Sequence, residues 1–255
     1  MGFELLPILD QMSELYAKPI SVARFHDYLH LLTGGRKDDL AVPIGGYNPM
    51  AKAHVPAKLN ELRGLKAEQV AARALGQLND QLPLPAGCTI KVVLSLADDL
   101  MGGWTNFYTT DYDSKFKTAP LLRRNFCTPT FWTSELFSEE KIAQRVLAYC
   151  VRSAYQLQHS QPITLAQHVA QEKFVAQWAD EASWSPPNLL HYYQQYLDSD
   201  GYHLIFNFFY GDEASASLEM PTFGISGTRP GFGFASQLAK AAGHPGKSPK
   251  TPRQR

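Results

Sequence analysis

Apolar residues at the start of the chain recur at helical spacing. Ile8, Leu9, Met12, Leu15 and Tyr16 share one face and Pro7 suits a first helical position, so the pattern predicts a helix over Pro7–Ala17. Ser21 can cap a second helix that turns Val22, Phe25, Leu29 and Leu32 inward and stops at Gly34 and Gly35. After the stretch VPIGGYNP, Asn48 as cap and Pro49 as first helical residue predict a third helix. KAEQVAARALGQLNDQL is built of strong helix formers and predicts a fourth.

The period changes after PLPAGC. In CTIKVVLSL, Cys88, Ile90, Val92, Leu94 and Leu96 alternate with Thr89, Lys91, Val93 and Ser95, which predicts a strand. FCTPTFWTS predicts a second strand, and Pro129 restricts it to an edge. Helical spacing then returns. Ser138 caps a long helix with Ile142, Val146, Leu147, Cys150, Ala154 and Leu157 inward, and Thr164 with Gln167 forms a capping box for the next. PPNLLHYYQQYL predicts a further helix. GYHLIFNFFYG alternates as a strand would, but Asp200 before it and Gly211 after it favour a short buried helix. The order of helices, strand, loop, strand and helices lacks the regular alternation of a doubly wound sheet. It predicts an α+β fold, mainly helical, with about seven or eight helices around a small central sheet of two or three strands.

Charge alters this picture at one end. The chain has 255 residues with 24 basic and 24 acidic side chains, so its formal net charge is zero. The last acid is Glu219, after which only bases follow: Arg229, Lys240, Lys247, Lys250, Arg253 and Arg255. The sequence therefore predicts one globular domain over 1–242 and a disordered basic tail over 243–255, where GHPGKSPKTPRQR has almost nothing apolar to bury. Such a tail gives weak, salt-sensitive attraction to nucleic acid and no specific recognition. Cys88, Cys127 and Cys150 are odd in number and widely spaced, unlike a disulfide framework or a zinc ribbon. The N-terminus has no basic leader, Leu6 stands where a myristoylation signal wants Ser or Thr, and no apolar run is long enough to span a membrane. A cytoplasmic protein with no membrane partner is expected.

Candidate chemistry concentrates in ADDLMGGWTNFYTTDYD. Asp98 and Asp99 end the predicted strand, where ligands collect in helix-covered sheets, and are the candidate catalytic or cation-ligating pair. Gly102 and Gly103 allow close approach, Trp104 and Tyr108 offer a stacking wall, Asn106 can orient a ligand, and Asp111 returns a carboxylate. The plainer alternative is a Gly-Gly turn joining strands SLADDLM and WTNFYTT, with the aromatics in the core. In IGGYNPMAK, Asn48 and Lys52 at a helix start suit the anionic end of a ligand, with Arg123 and Arg124 as further anion partners. His26 and His30 in FHDYLH have metal-binding spacing, as do His168 and Glu172, but no third ligand completes either set. No nucleophile motif is present, and no motif names a cofactor. The function expected is binding of a small polar or anionic molecule by a soluble protein, with an enzymatic reaction left unspecified. The alternative is a non-catalytic scaffold that meets a protein partner, or a second copy of itself, through aromatic segments such as NLLHYYQQYL. Convergence of the two Gly-rich segments on one pocket separates these readings.

Overall fold

In a computed structural model, residues 2–35, 40–100, 105–179, 186 and 188–242 are described. The chain divides into two compact units, Met1–Gln161 and Pro162–Arg255. The fold is α+β and mainly helical, with eleven helices and five short strands among the described residues.

The first unit contains β1 (Gly2–Leu5), α1 (Leu9–Ala17), α2 (Val22–Thr33), α3 (His54–Gly64), α4 (Ala67–Gln81), β2 (Thr89–Val92) and β3 (Ser95–Ala97). It continues with α5 (Phe107–Phe116), α6 (Ala119–Leu122), β4 (Phe126–Cys127), β5 (Thr130–Trp132) and α7 (Glu139–Gln158). Every strand pair is parallel, in the orders β1-β2-β4 and β3-β5.

These two small sheets share one register, with Val92 opposite Cys127 and Ser95 opposite Thr130. Between them Val93 N donates to Cys127 O at 3.0 Å and Ser95 N to Pro129 O at 2.9 Å. In a parallel ladder the return bond to the Val93 carbonyl comes from residue 129, and proline has no N–H to give. Pro129 thus splits a continuous ladder in two, on the edge to which the sequence assigns it.

β1 forms the other edge. It leaves after Leu6 N donates to Val92 O at 2.9 Å, and the Tyr47 hydroxyl then serves the next carbonyl on that side, Leu94 O, at 2.8 Å. From Val92 to Ala97 every side chain of the central strand is buried, so both of its faces are covered. The alternation expected of a half-exposed strand ends at Lys91. α4 packs on β1 and on α7, and Val70, Ala74 and Leu78 meet a core that includes Ile142, Val146 and Cys150.

The second unit contains α8 (Leu165–Ala176), α9 (Leu189–Tyr196), α10 (Tyr202–Ser217) and α11 (Pro230–Ala241). α11 packs on α8, α9 and α10. Phe206, Phe208, Phe209 and Tyr210 are buried, so GYHLIFNFFYG forms the expected buried helix. Gly211 interrupts α10 with φ 83°. Helices α5, α6 and α11 are additional to those the sequence pattern predicts.

Candidate functional site

The loop between α2 and α3 is held by its backbone carbonyls. Arg24, 3% exposed, donates from Nε to Pro49 O at 2.7 Å and from its terminal nitrogens to Ala51 O and Lys18 O. The hydroxyl of Tyr16 reaches Asn48 O at 3.0 Å, and that of Tyr28 reaches Ile44 O at 3.2 Å. These bonds explain a correction. α2 buries Arg24 and Tyr28, whereas Val22 is 69% exposed and Leu29 is also exposed. The expected face of Val22, Phe25, Leu29 and Leu32 gives way because carbonyls of the adjacent loop require donors.

The anchored loop lies against the sheet. Gly46 approaches so closely that a Cβ there would stand 2.2 Å from Ser95 Oγ of β3. α3 then begins at His54, not at Pro49. Asn48 closes a turn by accepting from Met50 N at 2.8 Å, and Lys52 is exposed ahead of the helix. The expected helix start at residues 48–52 is therefore absent.

Asp98 follows the last residue of β3, and Thr133 follows the last residue of β5, so both lie at the carboxyl ends of neighbouring parallel strands. Asp98 is 1% exposed. Its Oδ1 is 2.8 Å from His54 Nε2 and accepts from Thr133 Oγ1 at 3.0 Å and from Leu100 N at 3.2 Å. Burial opposes ionisation of Asp98, but the hydrogen bonds from His54, Thr133 and the Leu100 amide outweigh it and hold the carboxyl below its ordinary value. An ionised carboxylate only accepts, so Nε2 carries the proton and Nδ1 of the neutral ring keeps a lone pair. The His54 side chain is 22% exposed, so the imidazole stands between the buried charge and solvent.

Asp99 points elsewhere. It accepts from Ser134 Oγ at 2.6 Å and Ser134 N at 3.0 Å. The single Thr133 proton is shared between Asp98 and Asp99, each 3.0 Å away. The two carboxylates are thus separately bonded, with Thr133 between them. The turn after β5 is tied to α3, because Lys58 Nζ donates to Glu135 O at 2.7 Å.

Asn106 caps α5, accepting from Thr109 N at 3.1 Å. Tyr108 is half-buried on that helix beside Phe107, whose ring lies 4.7 Å from that of Trp132. Asp111 is buried, and both its oxygens accept from the buried Lys115 one turn on. Residues 107–116 are helical, which removes the two-strand alternative for this region. Gly102, Gly103 and Trp104 lie outside the described residues. His26 and His30 are exposed, and Asp27 between them bonds Lys18 at 2.7 Å. His168 is buried on the Thr164 carbonyl, and burial pushes its pKa down. Among the described residues no three His, Cys, Asp or Glu side chains gather as metal ligands.

The sequence reading missed His54, Thr133 and Ser134. For the last two the signal was present. They end the second predicted strand as Asp98 and Asp99 end the first, and the strand-end rule applies equally to both. His54 had none, because it is brought in by the Arg24 and Tyr47 contacts. Among the described residues no helix is long and apolar enough to cross a membrane. No family model, curated protein or solved structure matches the chain.

Proposed function

We propose that the first unit binds a small polar or anionic molecule at the carboxyl ends of β3 and β5, with His54 as the group that accepts or donates a proton to it. One observation supports this above the others: a partly exposed imidazole is fixed by a buried, ionised carboxylate where ligands collect in parallel sheets. The sequence placed Asp98 itself in the catalytic role. At 1% exposure it suits the role of orienting and charge-balancing His54 instead. Further support comes from the neighbouring contacts: Gly46 lies against Ser95, the Tyr47 hydroxyl reaches Leu94 O and His54 reaches Asp98, whereas Asn48 and Lys52 have no part in the reading.

A thermal-shift series tests this with inorganic phosphate, acetate, glucose and magnesium as probes, on wild type and on His54→Asn. The expected result is a probe that raises the melting temperature of wild type and leaves His54→Asn unmoved. A probe that raises both equally places binding elsewhere. A series with no response favours the scaffold alternative.

A further inference from the structure

Lys91 is exposed although β2 is the central strand of the three-stranded sheet. Its partners in register are Glu4 on β1 and Phe126 on β4, so the three side chains share one face. A cleft of about 470 Å³ is built there. Lys91, Phe126 and Arg124 line it from β2, β4 and the turn before β4, and Thr33, Leu40 and Ala41 line it from the end of α2 and the chain beyond. That volume is within the range of small-molecule sites, which runs from about 300 to 1,000 Å³. The cleft is at the amino end of β4, whereas Asp98 and Thr133 stand at the carboxyl ends of β3 and β5.

Backbone bonds hold both walls. Lys91 N donates to Asn125 O at 2.8 Å, which ties the residue after Arg124 to β2. Ala41 N and Val42 N donate to Leu32 O at 2.9 and 3.3 Å, which ties the other wall to α2 and satisfies one of the last carbonyls of that helix. The Thr33 hydroxyl is spent on Leu29 O at 2.9 Å, so the side-chain donors left in the cleft are the two cations. Among the described residues neither forms an ion pair with a carboxylate, Glu4 beside Lys91 included. Arg124 gives one Nη1 proton to Pro120 O at 3.3 Å, and its Nε–Nη2 edge stays available to a pair of oxygens.

We propose that this cleft binds a small phosphate monoester with an aromatic body, Arg124 and Lys91 holding the phosphate and Phe126 with Leu40 meeting the body. Two cations match the near-dianion of a phosphate monoester at neutral pH better than the single charge of a carboxylate. The cleft is larger than a bare phosphate needs, and its apolar lining gives the rest of the molecule a surface to cover. Both cations are exposed to solvent, so binding weakens as salt is added.

The test is calorimetric titration of the full chain with phenyl phosphate at low ionic strength. Wild type and His54→Asn should show the same single saturable site. Lys91→Gln and Arg124→Gln should each weaken it by about tenfold, the loss of one charge-assisted bond. Ala41→Trp fills the cleft without changing its charge and should abolish binding. Phenol should give no saturable heat, and benzoate and inorganic phosphate should bind more weakly than phenyl phosphate. No saturable binding of phenyl phosphate to wild type, or affinity unchanged by Lys91→Gln and Arg124→Gln, would overturn the proposal. Loss of binding in His54→Asn would assign the ligand to the other end of the strands and overturn it too. Phenol or benzoate binding as tightly would refute a phosphate site, and inorganic phosphate binding as tightly would reduce it to an ion site. All three substituted positions in the cleft are exposed, and should either charge variant fail to fold, Ala41→Trp decides.

Discussion

His54 Nε2 lies 2.8 Å from Asp98 Oδ1, and the carboxylate that holds the ring is almost wholly buried. Two elements far apart in sequence meet in this contact. α3 supplies the imidazole at its first residue, and β3 supplies the acid at its carboxyl end. Arg24 and Tyr47 hold the loop that leads into α3, Arg24 by donating to its Pro49 and Ala51 carbonyls and Tyr47 by donating to Leu94 O beside β3.

The Asp98 pKa is depressed in the folded state, so its contribution to stability is complete above the unfolded carboxylate pKa of about 4. That contribution is lost as pH falls through the folded value. Asp98→Asn should therefore lower stability at neutral pH by about 1–3 kcal/mol and flatten the acid limb of the profile. Urea unfolding from pH 7 down to the carboxylate range checks both.

Asp99 accepts from both the amide and the hydroxyl of Ser134. It is thus more than a solvated turn residue, and Asp99→Ala should destabilise the chain by about 1–2 kcal/mol. A solvated residue would give no more than about 0.5 kcal/mol in the same denaturation experiment.

The Asp111–Lys115 pair is buried on both sides. Removing only the ammonium with Lys115→Met leaves a buried carboxylate without that cation and should cost about 3–5 kcal/mol. Adding Asp111→Leu should recover much of the loss. A double-mutant cycle on equilibrium unfolding measures the coupling, and additive losses would contradict the assignment.

Gly211 breaks α10 at φ 83°, and a Cβ there would meet Gly227 O at 2.6 Å. Gly211→Ala meets both the strained backbone and the clash, so it should lose at least about 1 kcal/mol. A lower melting temperature of the variant checks this.

Much of the fold was legible because it is local. The Ser138 cap, the Thr164–Gln167 capping box and the Pro129 edge strand each rest on chemistry within a few residues, and all are present. β1 was not legible. It has four residues and is set by pairing with β2, so neither length nor period marks it in the sequence. The α2 error had the opposite origin, since its apolar stripe was real but Arg24 and Tyr28 were needed by carbonyls of a loop further along the chain. For the site, the strand-end rule located Asp98, and no sequence spacing pointed to His54, which is 44 residues away.

Asp98 fixes the His54 ring with its proton on Nε2. Nitrogen NMR of the His54 imidazole, at a pH where the ring is neutral, measures this directly. The expected spectrum shows Nε2 protonated and Nδ1 bare in wild type, with the two forms mixing in Asp98→Asn. A wild-type ring with its proton on Nδ1, or a tautomer unchanged by Asp98→Asn, would contradict it.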